Sequence, residues 1–149
     1  MRALLSSPGN PRVSEITVRV NYSETDQMGV VYHARYVVWL DMARTEHLRA
    51  AGMSYKDVEA MGVRLAVGEL SMRYRQAAKY DDLVRVRCWV KDLGSRRILF
   101  GYAVEHAETG DLLATATTAM FSINNDHRPT RLPPEVTRLL TVTEDPIKI

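Results

Sequence analysis

Hydrophobic and polar residues alternate near the start of the chain, where Ile16, Val18 and Val20 are separated by polar side chains. This period of two indicates a strand with one buried face. From about Val31 the apolar residues recur every three or four positions, which predicts an amphipathic helix of about five turns. The positions that form this stripe are Tyr36, Leu40, Ala43, His47 and Ala51. Gly52 follows directly, where a helix commonly ends.

A short second helix and four further strands are predicted after the long helix. Ser54 and Asp57 have the spacing of a capping box, and Gly62 would end the helix that they open. The alternating period then returns in four segments, which are 63–75, 84–91, 98–104 and 113–123. A short closing helix is predicted over 135–140. Because short connectors favour antiparallel neighbours, we predict an α+β domain with one long helix on a five-stranded antiparallel sheet.

The length of 149 residues suits one domain with a continuous core. Small and polar residues dominate the beginning of the chain, so we predict a flexible tail over 1–12 and a single domain over 13–149. No second long helix is predicted for the other face of the sheet, although that face also carries apolar residues. We therefore expect that face, or a sheet edge, to contact a partner subunit.

Composition narrows the classes of protein. Apolar residues make up 46% and charged residues 26%, which excludes a disordered or fibrous chain. No apolar run is long enough for a membrane helix or a secretory signal, and the single cysteine, Cys88, indicates a reducing compartment, so we expect a cytoplasmic protein. The net charge of +2 argues against a nucleic-acid partner. The four histidines lack metal-ligand spacing, so we expect no metal site.

The residues with the most chemical potential lie at 22–36, between the first strand and the long helix. A helix N-terminus presents unpaired N–H groups and a partial positive charge, which can hold a carbonyl oxygen as it becomes negative. Asp26 precedes the helix, and its carboxylate could attack such a carbonyl or deprotonate a water. Gly29 would let the backbone approach a ligand closely. His33, in the first predicted helical turn, could donate a proton.

Each of these residues also has an ordinary structural interpretation. An aspartate before a helix usually caps it or forms hydrogen bonds within the loop. Gly29 could be only a turn residue, and His33 only a structural histidine. Tyr36 and Trp39 fit the core of a domain better than a ligand site. The pattern alone therefore leaves catalytic and structural roles open.

One segment of this stretch resembles the signature of hotdog-fold acyl-CoA thioesterases, the group similar to 4-hydroxybenzoyl-CoA thioesterase. The segment reads TDxxGVVYHxxY over residues 25–36. The similarity extends over about 16–123 and includes segments 43–46 and 74–82. It implies a hotdog fold, in which the five-stranded antiparallel sheet wraps around the long helix. It also implies a homodimer, with dimers paired into a homotetramer.

The resemblance further implies roles for individual residues. Asp26 matches the catalytic carboxylate, acting as nucleophile or as general base. The backbone N–H of His33, which follows Gly29 at the helix start, would polarise the thioester carbonyl. Tyr32 and Tyr36 are assigned to substrate binding. The acyl group stays open, because the two residues between Asp26 and Gly29 depart from the family pattern.

These residues predict an acyl-CoA thioesterase that releases a free carboxylic acid and CoA. CoA is part of the substrate, and no separate cofactor is expected. The turn over 94–97 carries Arg96 and Arg97, whose guanidinium groups suit the phosphates of CoA. Two alternatives stay open. One is a thioesterase for acyl carrier protein, which shares the phosphopantetheine arm, and the other is a non-catalytic acyl-CoA binding module, against which Asp26 argues.

Overall fold

The computed structural model describes residues 12–149, so the predicted tail over 1–12 lies outside the described residues except for its last position. Periodic segments form the predicted elements with small shifts at their ends. The elements are β1 (Ser14–Arg19), α1 (Arg35–Ala51), α2 (Tyr55–Ala60), β2 (Arg64–Tyr74), β3 (Leu83–Leu93), β4 (Arg97–His106), β5 (Leu112–Ile123) and α3 (Pro134–Thr137). None of the helices in this range is long and apolar enough to cross a membrane.

The five strands form one antiparallel sheet, as predicted, and their order in it is β1-β3-β4-β5-β2. Arg19 at the end of β1 pairs with Leu83 at the start of β3, and Tyr74 at the end of β2 pairs with Ala114 near the start of β5. The strands β1 and β2 therefore finish at the same end of the sheet. We call this the upper end; the β3–β4 turn lies at the opposite, lower end.

The long helix lies across one face of the sheet, where it packs mainly against β1 and β3. Its inward stripe includes Trp39, Leu40 and Leu48, and each of these side chains is buried. The strands contribute Val86 and Phe100 to the same core. Removing this apolar surface from water is the main stabilising term of such a domain.

A buried arginine also ties α1 to its neighbours. Arg44 donates from Nε to the hydroxyl of Tyr55 in α2 at 2.8 Å, and from Nη1 to the hydroxyl of Tyr102 in β4 at 3.1 Å. Its remaining nitrogen contacts Asp41 one turn earlier on the helix. The guanidinium is thus hydrogen-bonded at each nitrogen, which a buried cation requires.

The long helix starts later than the periodicity predicted, at Arg35 rather than near Val31. Val30 and Val31 instead pair across to the connector between β2 and β3: Val30 bridges Lys79, and the Val31 N–H donates to the Ala78 carbonyl at 2.9 Å. Tertiary pairing thus extends the backbone where the apolar spacing suggested a helix. His33 consequently lies in a turn before the helix and not in its first turn.

The C-terminal segment bridges the edge of β3 at Val90 and reaches the sheet face opposite α1, where a partner subunit was expected. The Thr143 N–H donates to the Val90 carbonyl at 2.8 Å, and the carboxylate of Asp145 accepts from the indole of Trp89 at 2.9 Å and pairs with Lys91 at 3.1 Å. The helix predicted over 135–140 forms as the four-residue α3. The edge of β2, in contrast, pairs with no strand of the described chain other than β5.

Candidate active site

Asp26 opens a tight loop that returns the chain toward the start of α1. Its N–H donates to the Val30 carbonyl at 2.9 Å, and its carbonyl accepts from the Gly29 N–H at 3.0 Å. Gly29 has a φ of 82°, a left-handed conformation that a residue with a Cβ adopts only with strain. The carboxylate is partly exposed, and its Oδ1 accepts from the Met28 N–H at 2.8 Å. Its Oδ2 has no hydrogen-bond partner within residues 12–149, so it is available to a ligand.

The N-terminus of α1 is left without a side-chain cap. Its N-cap residue is Ala34, which has no group to accept a hydrogen bond. The Arg35 N–H donates back to the Tyr32 carbonyl at 2.9 Å, but the N–H groups of His33 and Ala34 have no backbone acceptor in the described part of the chain. These N–H groups lie at the positive end of the helix, where an anionic oxygen is favoured.

Two tyrosines hold this segment against the rest of the domain. The Tyr74 hydroxyl, at the upper end of β2, donates to the His33 carbonyl at 2.8 Å, which fixes the peptide on the helix side of His33. The Tyr36 hydroxyl accepts from the Ala78 N–H at 2.9 Å. Tyr36 is only 2% exposed, so its ring is buried while its hydroxyl makes this hydrogen bond. This burial corrects its assignment to substrate binding, because the inward side of the helix turns it into the core.

An exposed aromatic surface borders the uncapped helix end. Tyr32 is 47% exposed, and its ring lies 4.6 Å from the exposed imidazole of His33, centroid to centroid. Tyr74, also exposed, lies 6.4 Å from His33 with its ring nearly perpendicular. Exposed aromatic side chains are well suited to contact an apolar or aromatic group of a ligand.

Arg96 and Arg97 lie at the lower end of the sheet, away from Asp26. They lie at the turn from β3 into β4, and the 11 residues of β3 span about 33 Å at roughly 3.3 Å per residue. Arg97 also pairs with Asp92 at 3.2 Å, in a partly exposed contact that contributes little. Within one chain, the structure therefore brings together Asp26, Gly29, Tyr32 and His33, but it does not bring the two arginines to them.

Sequence reasoning overlooked Glu24 and the role of Tyr74. Glu24 is a buried carboxylate two residues before Asp26, and it accepts from the Asn21 N–H at 2.8 Å. The spacing from Asn21 to Glu24 is that of a capping box, which was a readable signal of this contact. Tyr74 gave no local signal, because its partner His33 is 41 residues away.

Comparison with known proteins agrees with this architecture. The model of the thioesterase-like superfamily matches residues 20–140. The putative acyl-CoA thioesterase YneP of Bacillus subtilis is 32% identical over 114 residues, which cover 76% of this chain and 82% of that protein.

Two solved structures are similar over most of the chain. The hypothetical protein TT1821 of Thermus thermophilus superposes with a TM-score of 0.81 at 40% identity, covering 88% of this chain and 99% of that one. The DHNA-CoA thioesterase of Staphylococcus aureus superposes with a TM-score of 0.77 at 32% identity, covering 80% of each chain. The predicted hotdog fold and the predicted enzyme class are confirmed, and the chain belongs to the thioesterase-like superfamily of thioester hydrolases.

Proposed function

We propose that this protein hydrolyses acyl-CoA thioesters to a free carboxylic acid and CoA, with Asp26 as the reacting carboxylate. One observation carries the proposal: a partly exposed carboxylate and the partnerless N–H groups of His33 and Ala34 belong to one short segment at the positive end of α1. A carboxylate supplies basicity or nucleophilicity, and the N–H groups supply a site for the oxyanion that thioester cleavage generates.

Two routes fit this arrangement. In the first, Asp26 takes a proton from water as the water oxygen attacks the carbonyl carbon. The tetrahedral oxyanion then collapses, the C–S bond breaks, and the thiolate of CoA leaves and is protonated. In the second, an oxygen of Asp26 attacks directly and expels the thiolate. The resulting mixed anhydride is then hydrolysed by water, which restores the carboxylate.

His33 contributes mainly through its backbone in this proposal. Its N–H faces no acceptor in the described chain, and Tyr74 holds its carbonyl, so the adjoining peptide with the N–H of Ala34 is oriented before substrate arrives. A preorganised donor of this kind contributes about 3–4 kcal/mol to oxyanion stabilisation. We expect His33→Ala to cost less than a change at Asp26, because the backbone donor stays. Tyr32, exposed beside it, contacts the acyl or pantetheine group.

The working enzyme in our proposal is a homodimer joined through β2. This strand has 11 residues and one edge that no other described strand pairs with, and its exposed residues include the apolar Val67 and Leu70. A long unpaired strand of this kind is a template for pairing with another chain. Pairing two copies antiparallel about a twofold axis would give one continuous sheet of ten strands, twice the five of each chain. Sedimentation velocity at micromolar concentration tests this: a stable, fully active monomer would contradict it.

The same pairing supports a CoA phosphate site on Arg96 and Arg97. Antiparallel pairing through β2 reverses the partner, so the lower end of the partner's sheet lies beside the upper end of the first. A phosphate site that is remote within one chain then faces the same end as Asp26 of its neighbour. The double variant Arg96→Ala, Arg97→Ala should raise KM more than it lowers kcat, because such contacts are equal in the ground and transition states. Arg138→Ala, at another exposed arginine, is the control; an unchanged KM in the double variant would remove the assignment.

The decisive experiment is Asp26→Asn, which keeps the size of the side chain and removes its charge and basicity. Thiol release would be followed on a panel of aryl, short and long acyl-CoA substrates, together with an acylated carrier protein. We expect kcat to fall by about 10²–10⁴-fold with folding intact. Asp126→Asn, at an exposed loop aspartate, is the matched control and should leave kcat unchanged. A folded Asp26→Asn enzyme within about threefold of the parent rate would show that Asp26 is only a loop residue.

A further inference from the structure

Glu24 is a buried carboxylate whose two oxygens are both occupied. It is 8% exposed. Its Oε1 accepts from the Asn21 N–H at 2.8 Å, and its Oε2 accepts from the indole Nε1 of Trp39 at 3.0 Å. The guanidinium of Arg35 lies 3.6 Å from the same Oε2. A carboxylate is costly to bury unless such donors surround it, so these contacts hold the side chain in one place.

The contacts of Glu24 join the two ends of the segment that carries the proposed chemistry. Trp39 and Arg35 belong to the first two turns of α1, so the side chain is tied to the helix. Its backbone carbonyl accepts from the Tyr32 N–H at 2.9 Å, which ties it to the residue before His33. Asp26 follows Glu24 by two positions. One residue therefore links Asn21 before the loop, Tyr32 on the returning side of the loop, and the helix.

We propose that Glu24 is a positioning residue that sets the place of the Asp26 carboxylate relative to the N–H groups of His33 and Ala34. The inference rests on the proposed function of those groups, but the tether itself is a separate structural claim. Two reacting groups on a loop and a helix end must keep one geometry for both to act on the same carbonyl. A misplacement of about 1 Å at such a site costs on the order of 100-fold in rate.

Only a carboxylate satisfies this arrangement. The Asn21 N–H and the Trp39 indole are both donors, and they approach different oxygens. A glutamine of the same shape offers one acceptor oxygen and one NH₂ group, so one donor would face another donor. Glu24→Gln therefore breaks the tether with almost no change in volume. Trp39→Phe removes the indole N–H, which is the donor of the hydrogen bond to Oε2 of Glu24.

Kinetics on the full-length protein test the positioning role. We expect Glu24→Gln to lower kcat per folded molecule by about tenfold to 100-fold, with KM within about threefold of the parent because substrate contacts are untouched. Trp39→Phe should also lower kcat. The double variant should be no slower than the slower single variant, since both remove one interaction. Glu46→Gln, at an exposed glutamate paired with Arg49 on the same helix, is the matched control and should leave kcat unchanged.

A second readout does not depend on activity. The chain has two tryptophans, so Trp39→Phe identifies the Trp39 indole N–H signal in a ¹⁵N–¹H spectrum. In Glu24→Gln that signal should move to the position of a weaker hydrogen bond, and the Tyr32 amide should exchange faster with solvent. If the parent releases no thiol from any substrate but these changes occur, the tether stands and the proposed function fails.

The proposal is overturned by either of two results. One is a parent enzyme that is active while folded Glu24→Gln and Trp39→Phe retain kcat within about twofold, far below the cost of misplaced groups. The other is an unchanged Trp39 indole signal and Tyr32 exchange rate in Glu24→Gln. If Glu24→Gln does not fold, Trp39→Phe alone decides the kinetic outcome, because it breaks the same hydrogen bond and leaves the carboxylate with its other donors.

Discussion

The two ends of α1 are built on opposite principles. At the C-terminus, Gly52 adopts a φ of 106° and its N–H donates to the Arg49 carbonyl at 2.9 Å, while the Met53 N–H donates to the Leu48 carbonyl at 3.0 Å. The chain then enters α2 through the Ser54 capping box. At the N-terminus, Ala34 provides no cap, and neighbouring donors have no acceptor in the described residues.

In our proposal this difference separates stability from chemistry along one helix. A side-chain cap is worth about 1 kcal/mol, and the N-terminus of α1 forgoes it. Donors that a cap would occupy stay available for an oxyanion instead. We call the capped C-terminus of α1 the closed end and its uncapped N-terminus the open end. Hydrogen bonds at the closed end stabilise the helix, so the open end can lack a cap. Changes at the closed end should therefore alter stability alone, whereas changes at the open end should alter rate.

The largest stability effect is expected from His47, near the closed end. It is 1% exposed, and burial, together with the nearby charge of Arg12, lowers its pKa to about 4 from an ordinary 6.5. The unfolded chain therefore binds a proton that the folded chain resists, so stability falls as pH drops below about 6.5 and levels off near the folded pKa. We expect a loss of about 1–2 kcal/mol between pH 6.5 and 5. Urea unfolding across this range measures it.

The variant His47→Phe should remove most of this pH dependence, and His33→Ala, at the exposed histidine of the open end, should keep it. The measurement stays above pH 5 so that protonation of Glu105, whose pKa is lowered, does not contribute to it. Burial would raise the pKa of Glu105, but hydrogen bonds from Arg87 and Arg85 outweigh burial and hold it below its usual value. Glu105 thus adds stability that is lost only in stronger acid. A pH dependence that persists in His47→Phe would assign it to another group.

A matched pair of glycines compares the two ends directly. Gly29 and Gly52 are both left-handed, and an added Cβ would meet no atom within 4 Å at either position. Alanine should therefore cost a similar backbone strain of about 1–2 kcal/mol at each. Gly52→Ala should lower the free energy of unfolding and leave kcat per folded molecule unchanged. Gly29→Ala should also lower kcat/KM by about tenfold or more, because the turn that positions Asp26 is distorted. If the two variants had the same kcat/KM, the two ends of α1 would not differ in their effect on the reaction.

The smallest effects are expected at Ala34, where a charge can be added to the open end. Ala34→Asp should stabilise the helix by about 0.3–1 kcal/mol through its dipole. The same carboxylate opposes a developing oxyanion, so kcat should fall by about threefold to tenfold, less than the loss of a whole donor. Ala34→Asn has the same shape without the charge and should show smaller changes in both. Thermal unfolding measures the change in stability, and thiol release measures the change in kcat. A faster Ala34→Asp enzyme would mean that this helix end does not meet the oxyanion.

Local pattern determined the parts of this protein that depend on neighbours in the chain. Alternation and the 3.6-residue stripe located five strands and the long helix, because side-chain direction repeats with the backbone geometry of each element. The positive φ of Gly52 and the capping box of Ser54 follow from requirements within a few residues. The loop from Asp26 to Gly29 was recognisable as a unit for the same reason, because Gly29 has the positive φ that a tight turn requires.

Tertiary structure decided what depends on distant partners. Pairing of Val31 with Ala78 delays the start of α1, and the Tyr74 hydroxyl reaches His33 from another strand. Tyr36, which was assigned to substrate binding from the sequence, is buried in the core. Antiparallel pairing of β1 with β3 and of β3 with β4 placed Arg96 at the far end of the sheet. Periodicity reports which side of an element is apolar, but it carries no information on which segments meet, and that choice is made by packing and hydrogen bonding across the whole domain.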